Sequence, residues 1–142
     1  MCAEKCMNSH ASLFILRVVL GAIFIAHGWQ KIGMMDGVIG FFGSLGISAI
    51  FAYIVAYGEL LAGIAMVLGV FTRLAGYLIS AIMIGTIIVI KYKVGFIGGY
   101  ELDLILLASA LTISMSGPGM YATGKKVCGC NSCEMCGDKK IV

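Results

Sequence analysis

Residues 47–71 read ISAIFAYIVAYGELLAGIAMVLGVF, and one charge, Glu59, interrupts the run. About 20 apolar residues at ~1.5 Å each cross a hydrocarbon core of ~30 Å, so this stretch predicts a membrane span. Three more runs flank it. Ala11–Trp29 holds Arg17 as its one full charge, and Leu74–Ile90 holds none between Arg73 and Lys91. Phe96–Met115 carries Glu101 and Asp103 near its start. Gly117-Pro118-Gly119 stops the last run, because proline and glycine break the backbone ladder. The expected fold is all-α, an integral membrane four-helix transmembrane bundle. Its helices fall at about 11–31, 48–71, 73–91 and 96–116, between an N-terminal segment 1–10 and a cysteine-rich tail 123–142.

Composition agrees. The chain is 61% hydrophobic and 12% charged, with a mean hydropathy of +1.04. A soluble domain of this size could not hide so much apolar surface, whereas lipid solvates it. The formal net charge is +3, with no basic block interleaved with aromatics, so nucleic acid is excluded as a partner. Lys125, Lys126, Lys139 and Lys140 read instead as a basic tail beside an anionic membrane face.

The first run is tested as a signal peptide. Glu4 and Lys5 cancel in its n-region, and no small-residue cleavage site precedes His27-Gly28-Trp29-Gln30-Lys31, so it is read as a retained helix. With the N-terminus inside, the cytoplasmic side holds Lys5, Arg73 and the four tail lysines. The other side holds Lys31, Lys91 and Lys93. That bias of six to three puts both termini in the cytoplasm of a multi-pass plasma-membrane protein. The linker Ile32–Ser48, with glycines at 33, 37, 40, 43 and 46, is expected to be an interfacial or re-entrant segment. Ala52/Ala56 and Ala81/Gly85 are candidate close-packing pairs. A bundle this small is a candidate homo-oligomer, with no copy number set by the sequence.

Ionisable groups at bilayer depth are costly and point to function. Glu59 lies near the middle of its run, and Arg17 lies about four residues into the first. Counted from the ends of the runs, the two differ by roughly a turn in depth, which predicts an Arg17–Glu59 pair. Such a pair could also serve helix register alone. Arg17, Gly21, Phe24, Gly28 and Lys31 share one helical face, with His27 at its rim. His27 and Lys31 end helix one at the level where Glu101 and Asp103 begin helix four. Together with Glu59, and with Tyr100 beside the acids, they are expected to line a polar pocket. Arg17, His27 and Glu59 are its catalytic candidates, and Lys31, Tyr100, Glu101 and Asp103 its binding candidates. Lys91 and Lys93 read as snorkelling anchors, with Lys31 sharing that alternative. No haem is expected, since His10 and His27 are separated by roughly 25 Å along a helix.

The ordered pattern Arg17…Gly21…His27-Gly28…Lys31, Gly58-Glu59, Gly69, Thr72-Arg73, Gly99-Tyr100-Glu101 and Gly117-Pro118-Gly119 resembles the DoxX/DoxD-like family of small four-helix membrane proteins. The resemblance covers roughly Leu13 to Ala122. It implies a redox association. Some such relatives are subunits of a thiosulfate:quinone oxidoreductase, others accompany membrane-bound oxidoreductase assemblies or responses to thiol stress, and many have no assigned activity.

The tail departs from that family pattern. Cys128, Cys130, Cys133 and Cys136 form a C-x-C-x2-C-x2-C array. Clustered thiolates hold zinc or another thiophilic metal, or cycle between dithiol and disulfide. Cys2 and Cys6 lie on the same predicted side and could complete the site. A reducing compartment disfavours permanent disulfides, so metal binding is preferred to redox exchange.

The leading expectation is a membrane subunit of a quinone- or sulfur-linked redox system, with an oxidoreductase subunit as partner and quinone as ligand. Two alternatives stay open: a non-catalytic scaffold for a soluble oxidoreductase, and a small metal or solute carrier.

Overall fold

The computed structural model describes residues 2–92 and 95–117, with side chains from residue 11 onward. Five α-helices follow in order: α1 (Cys2–Gly33), α2 (Met35–Ser44), α3 (Ala49–Leu68), α4 (Thr72–Thr86) and α5 (Glu101–Ser116). A π-helical turn, Ile87–Lys91, continues α4, and a second, Phe96–Tyr100, leads into α5. No strand occurs among the described residues. Among the described residues, four helical spans are long and apolar enough to cross a membrane: Ala11–Gly33, Ala49–Leu68, Thr72–Lys91 and Phe96–Ser116. The all-α, four-span expectation holds.

Two connections show how local sequence sets the topology. Gly69 adopts φ +73, a left-handed conformation that costs glycine nothing, and ends α3. The Gly69 and Val70 N–H groups bond back to the Met66 and Ala65 carbonyls. Phe71 takes a left-handed φ of +48 as the chain enters α4, so α3 and α4 become antiparallel neighbours across a very short turn. At the other end, helical winding breaks at Ile97–Gly98, where Gly98 has φ +74, before α5 begins.

Packing is heaviest between α1 and α3, then between α4 and α5. α3 also packs on α4, and α1 on α5, which leaves α1/α4 and α3/α5 as the diagonals. Lipid tails are as apolar as leucine, so close backbone approach rather than hydrophobic burial binds these helices. A Cβ on Gly28 would stand 2.6 Å from the Leu60 nitrogen, and one on Gly63 would stand 2.8 Å from the Gly21 carbonyl oxygen. Those contacts set the α1/α3 register. The core of Leu20, Met66, Ala75, Ile79, Ala110 and Ile113 fills the half of the bundle nearer Gly117.

The two small-residue pairs behave differently. Ala52 and Ala56 are fully buried, as expected. Ala81 and Gly85 are exposed, and a Cβ on Gly85 would meet nothing within 4 Å. The Gly-rich linker folds as α2, a helix with no buried residue that packs chiefly on α3. Its Met35, Val38, Ile39 and Phe42 are half-buried and the rest of the helix is exposed.

Candidate functional site

The predicted stripe on α1 is real. Arg17, Gly21, Phe24 and Gly28 are buried, and Lys31 is half-buried. The electrostatic partnership is not the expected one. Lys31 Nζ donates to Glu59 Oε1 at 2.5 Å. Glu59 is 1% exposed, and its Oε2 has no hydrogen-bond partner among the described residues. Arg17 is also buried, with its guanidinium carbon 5.3 Å from the Phe14 ring centroid. The reason lies in register. Gly28 abuts Leu60, so Glu59 sits near the level of Gly28, and Arg17 is eleven residues, roughly 16 Å, further down α1. Depth counted from the ends of apolar runs misses this offset.

A second pair closes the other side of the same end. Lys91, at the end of the π-helical turn, places Nζ 2.6 Å from Asp103 Oδ2. That oxygen is close enough for an ion pair but is not aligned for a hydrogen bond. The expectation that Lys91 is an anchor at the membrane surface is therefore corrected: it reaches a buried acid. Lys93 lies outside the described residues. The signal in the sequence was topological. Lys91 ends one span and Asp103 begins the next, so a helical hairpin puts them at one level.

Both pairs border an open cavity of about 1020 Å³ among α1, α2, α3, α4 and α5. Ligand sites commonly enclose ~300–1,000 Å³, so this one is at the upper end. Phe24, Met83 and Leu106 belong to the buried core and also form its floor. Val38, Phe42, Phe51, Thr86 and Val89 furnish much of the wall. His27 faces it with an exposed side chain.

The structure thus gathers His27, Lys31, Glu59 and Asp103 at one cavity, as the sequence predicted. Arg17, Tyr100 and Glu101 do not line it. Glu101 is exposed and accepts the Gly98 N–H at 3.2 Å, which ties down its own turn. Two residues apart on a helix, Glu101 and Asp103 point to opposite sides, so one acid enters the bundle and the other cannot. Tyr100 packs edge-on against Phe96, with centroids 5.4 Å apart. No group of three His, Cys, Asp or Glu that could hold a metal occurs among the described residues. Cys128, Cys130, Cys133 and Cys136 lie outside them, and Cys2 and Cys6 lie in α1 ahead of the described side chains.

A family model for DoxX matches residues 12–92, which include most of α1, all of α2 to α4 and the Lys31–Glu59 pair. The chain belongs to the DoxX family. A Bacillus subtilis (strain 168) protein named "Putative oxidoreductase CatD" is 40% identical over 108 residues, covering 76% of this chain and 81% of that protein. A Mycobacterium tuberculosis (strain ATCC 25618 / H37Rv) protein named "Uncharacterized membrane protein Rv3486" is 28% identical over 132 residues, covering 82% of this chain and 81% of that protein. No solved structure matches. This DoxX protein is a multi-pass membrane protein, and its spans imply a lipid bilayer around them.

Proposed function

We propose that this DoxX protein is the membrane subunit of a redox system and receives a quinone-type carrier in its cavity. The observation that carries the reading is a large, mostly apolar cavity bordered by two ion-paired acids between membrane-spanning helices. A quinone is an apolar ring with a polar head, and such a cavity fits it on both counts. The name of the Bacillus subtilis relative, "Putative oxidoreductase CatD", points the same way.

Reduction of a quinone to a quinol consumes two electrons and two protons. The electrons come from a sulfur-containing donor, delivered by a partner oxidoreductase. Glu59 and His27 relay the protons, and Lys31 pairs with Glu59 in the place expected of Arg17. The tail cysteines bind a thiophilic metal or exchange electrons with that partner. Both termini lie in the cytoplasm of the plasma membrane, supported by the bias of lysine and arginine toward that side.

The test is binding of a short-chain benzoquinone to the purified full chain in lipid nanodiscs, together with quinone-linked electron transfer. Glu59→Gln is expected to lower the electron-transfer rate at least tenfold while the protein remains assembled. Purified protein that binds no quinone, with Glu59→Gln silent, rejects the proposal. Metal analysis of the fresh protein against a control lacking residues 123–142 tests the tail, with the metal expected to leave with it.

A further inference from the structure

We propose that Lys31 and Lys91 are the two posts that hold the cavity's ligand, and that their buried carboxylate partners restrict it to an uncharged molecule with a hydrogen-bond acceptor at each end of its head. This deepens the quinone reading and rests on it. The argument starts from exposure. The Lys31 and Lys91 side chains are 29% and 33% exposed, whereas those of Glu59 and Asp103 are 2% and 8% exposed. The accessible polar groups of these pairs are therefore donors, and the acceptors are hidden behind them. An ammonium carries three N–H groups, and one carboxylate oxygen engages only one of them. Each lysine keeps donors for something else.

Charge decides what that is. The cavity wall carries two cations and two anions in matched pairs, with His27 as the fifth titratable group facing it. An anion such as thiosulfate would shed its water at membrane depth and meet no net positive charge. An uncharged carbonyl forgoes far less hydration and still accepts a charge-assisted bond. The two posts stand on different walls: Lys31 ends α1, and Lys91 ends the extension of α4, its diagonal helix. A ring with carbonyl groups on opposite edges offers one acceptor to each. The anionic sulfur donor of a thiosulfate-type reaction does not share this site, and its electrons enter elsewhere.

The test uses the full chain in nanodiscs, with a short-chain benzoquinone and inorganic thiosulfate as separate probes. The unaltered protein should bind the quinone and not thiosulfate. Lys91→Met combined with Asp103→Asn removes one post without stranding a charge, and should weaken quinone binding about tenfold. Lys31→Met with Glu59→Gln should do the same for the other post, and carries the test if the first variant does not fold. Asp103→Asn alone leaves the Lys91 charge unmatched and should admit thiosulfate. Unchanged quinone affinity in both double variants overturns this inference and leaves the quinone reading standing. So does thiosulfate binding by the unaltered protein alongside quinone. Absence of quinone binding by the unaltered protein removes both.

Discussion

A methyl group added at Gly63 would stand 2.7 Å from the Ile25 nitrogen, whereas one added at Gly85 would meet nothing within 4 Å. The first glycine belongs to the seam between α1 and α3, where two backbones touch. The second lines the cavity at the α2 end. Five glycines in or beside α2, at 33, 37, 40, 43 and 46, resemble Gly85 in having open space around them. The seam uses glycine for contact, and contact in lipid is what holds helices together. At the α2 end a cavity opens among the helices, and there the Lys31–Glu59 and Lys91–Asp103 pairs join neighbouring spans. One end of the bundle is close-packed around a mostly apolar core that also encloses Arg17, and the other is opened by the cavity and pinned by charge.

The difference can be broken most severely at the pins. Lys31→Met leaves the Glu59 carboxylate buried and alone, which should cost about 3–5 kcal/mol in detergent unfolding. Adding Glu59→Gln should restore most of that loss, because no buried charge then lacks a partner. Equal stability of the single and double variants would show that the pair does not pin α1 to α3.

A smaller effect is expected at the seam. Gly63→Val pushes side-chain atoms against the backbone of α1 on two sides and should cost about 1–3 kcal/mol, read from the same unfolding curves. Tolerance of valine there would mean that the two backbones are not in contact.

The mildest change sharpens the contrast from the open end. Gly85→Ala removes a helix-weakening glycine where space is free, and should stabilise α4 by about 0.5–1 kcal/mol. A loss of stability there would place an unseen partner on that face.

Much of the site was legible in the amino-acid order, and the exceptions share a cause. The inward face of α1 followed from helical periodicity, since Arg17, Gly21, Phe24, Gly28 and Lys31 recur every three or four residues. The burial of Glu59 and Asp103 followed from the cost of a carboxylate facing lipid. Which cation each acid meets did not follow. Arg17 and Lys31 occupy the same stripe, and hydropathy gives both the same standing. Glu101 and Asp103 differ only in the side of α5 they take, and the start of that helix at a broken turn fixes which one enters.

The sequence alone determined four spans, their approximate ends and one charged inward face, because length, apolarity and helical period are local properties of the chain. Tertiary structure decided the pairing of Glu59 with Lys31 and of Asp103 with Lys91, and the cavity that they border. Ion pairs form where side chains meet. Where they meet depends on how far one helix slides along another, which is set by steric fit at Gly28 and Gly63 rather than by any property of the charged residues themselves.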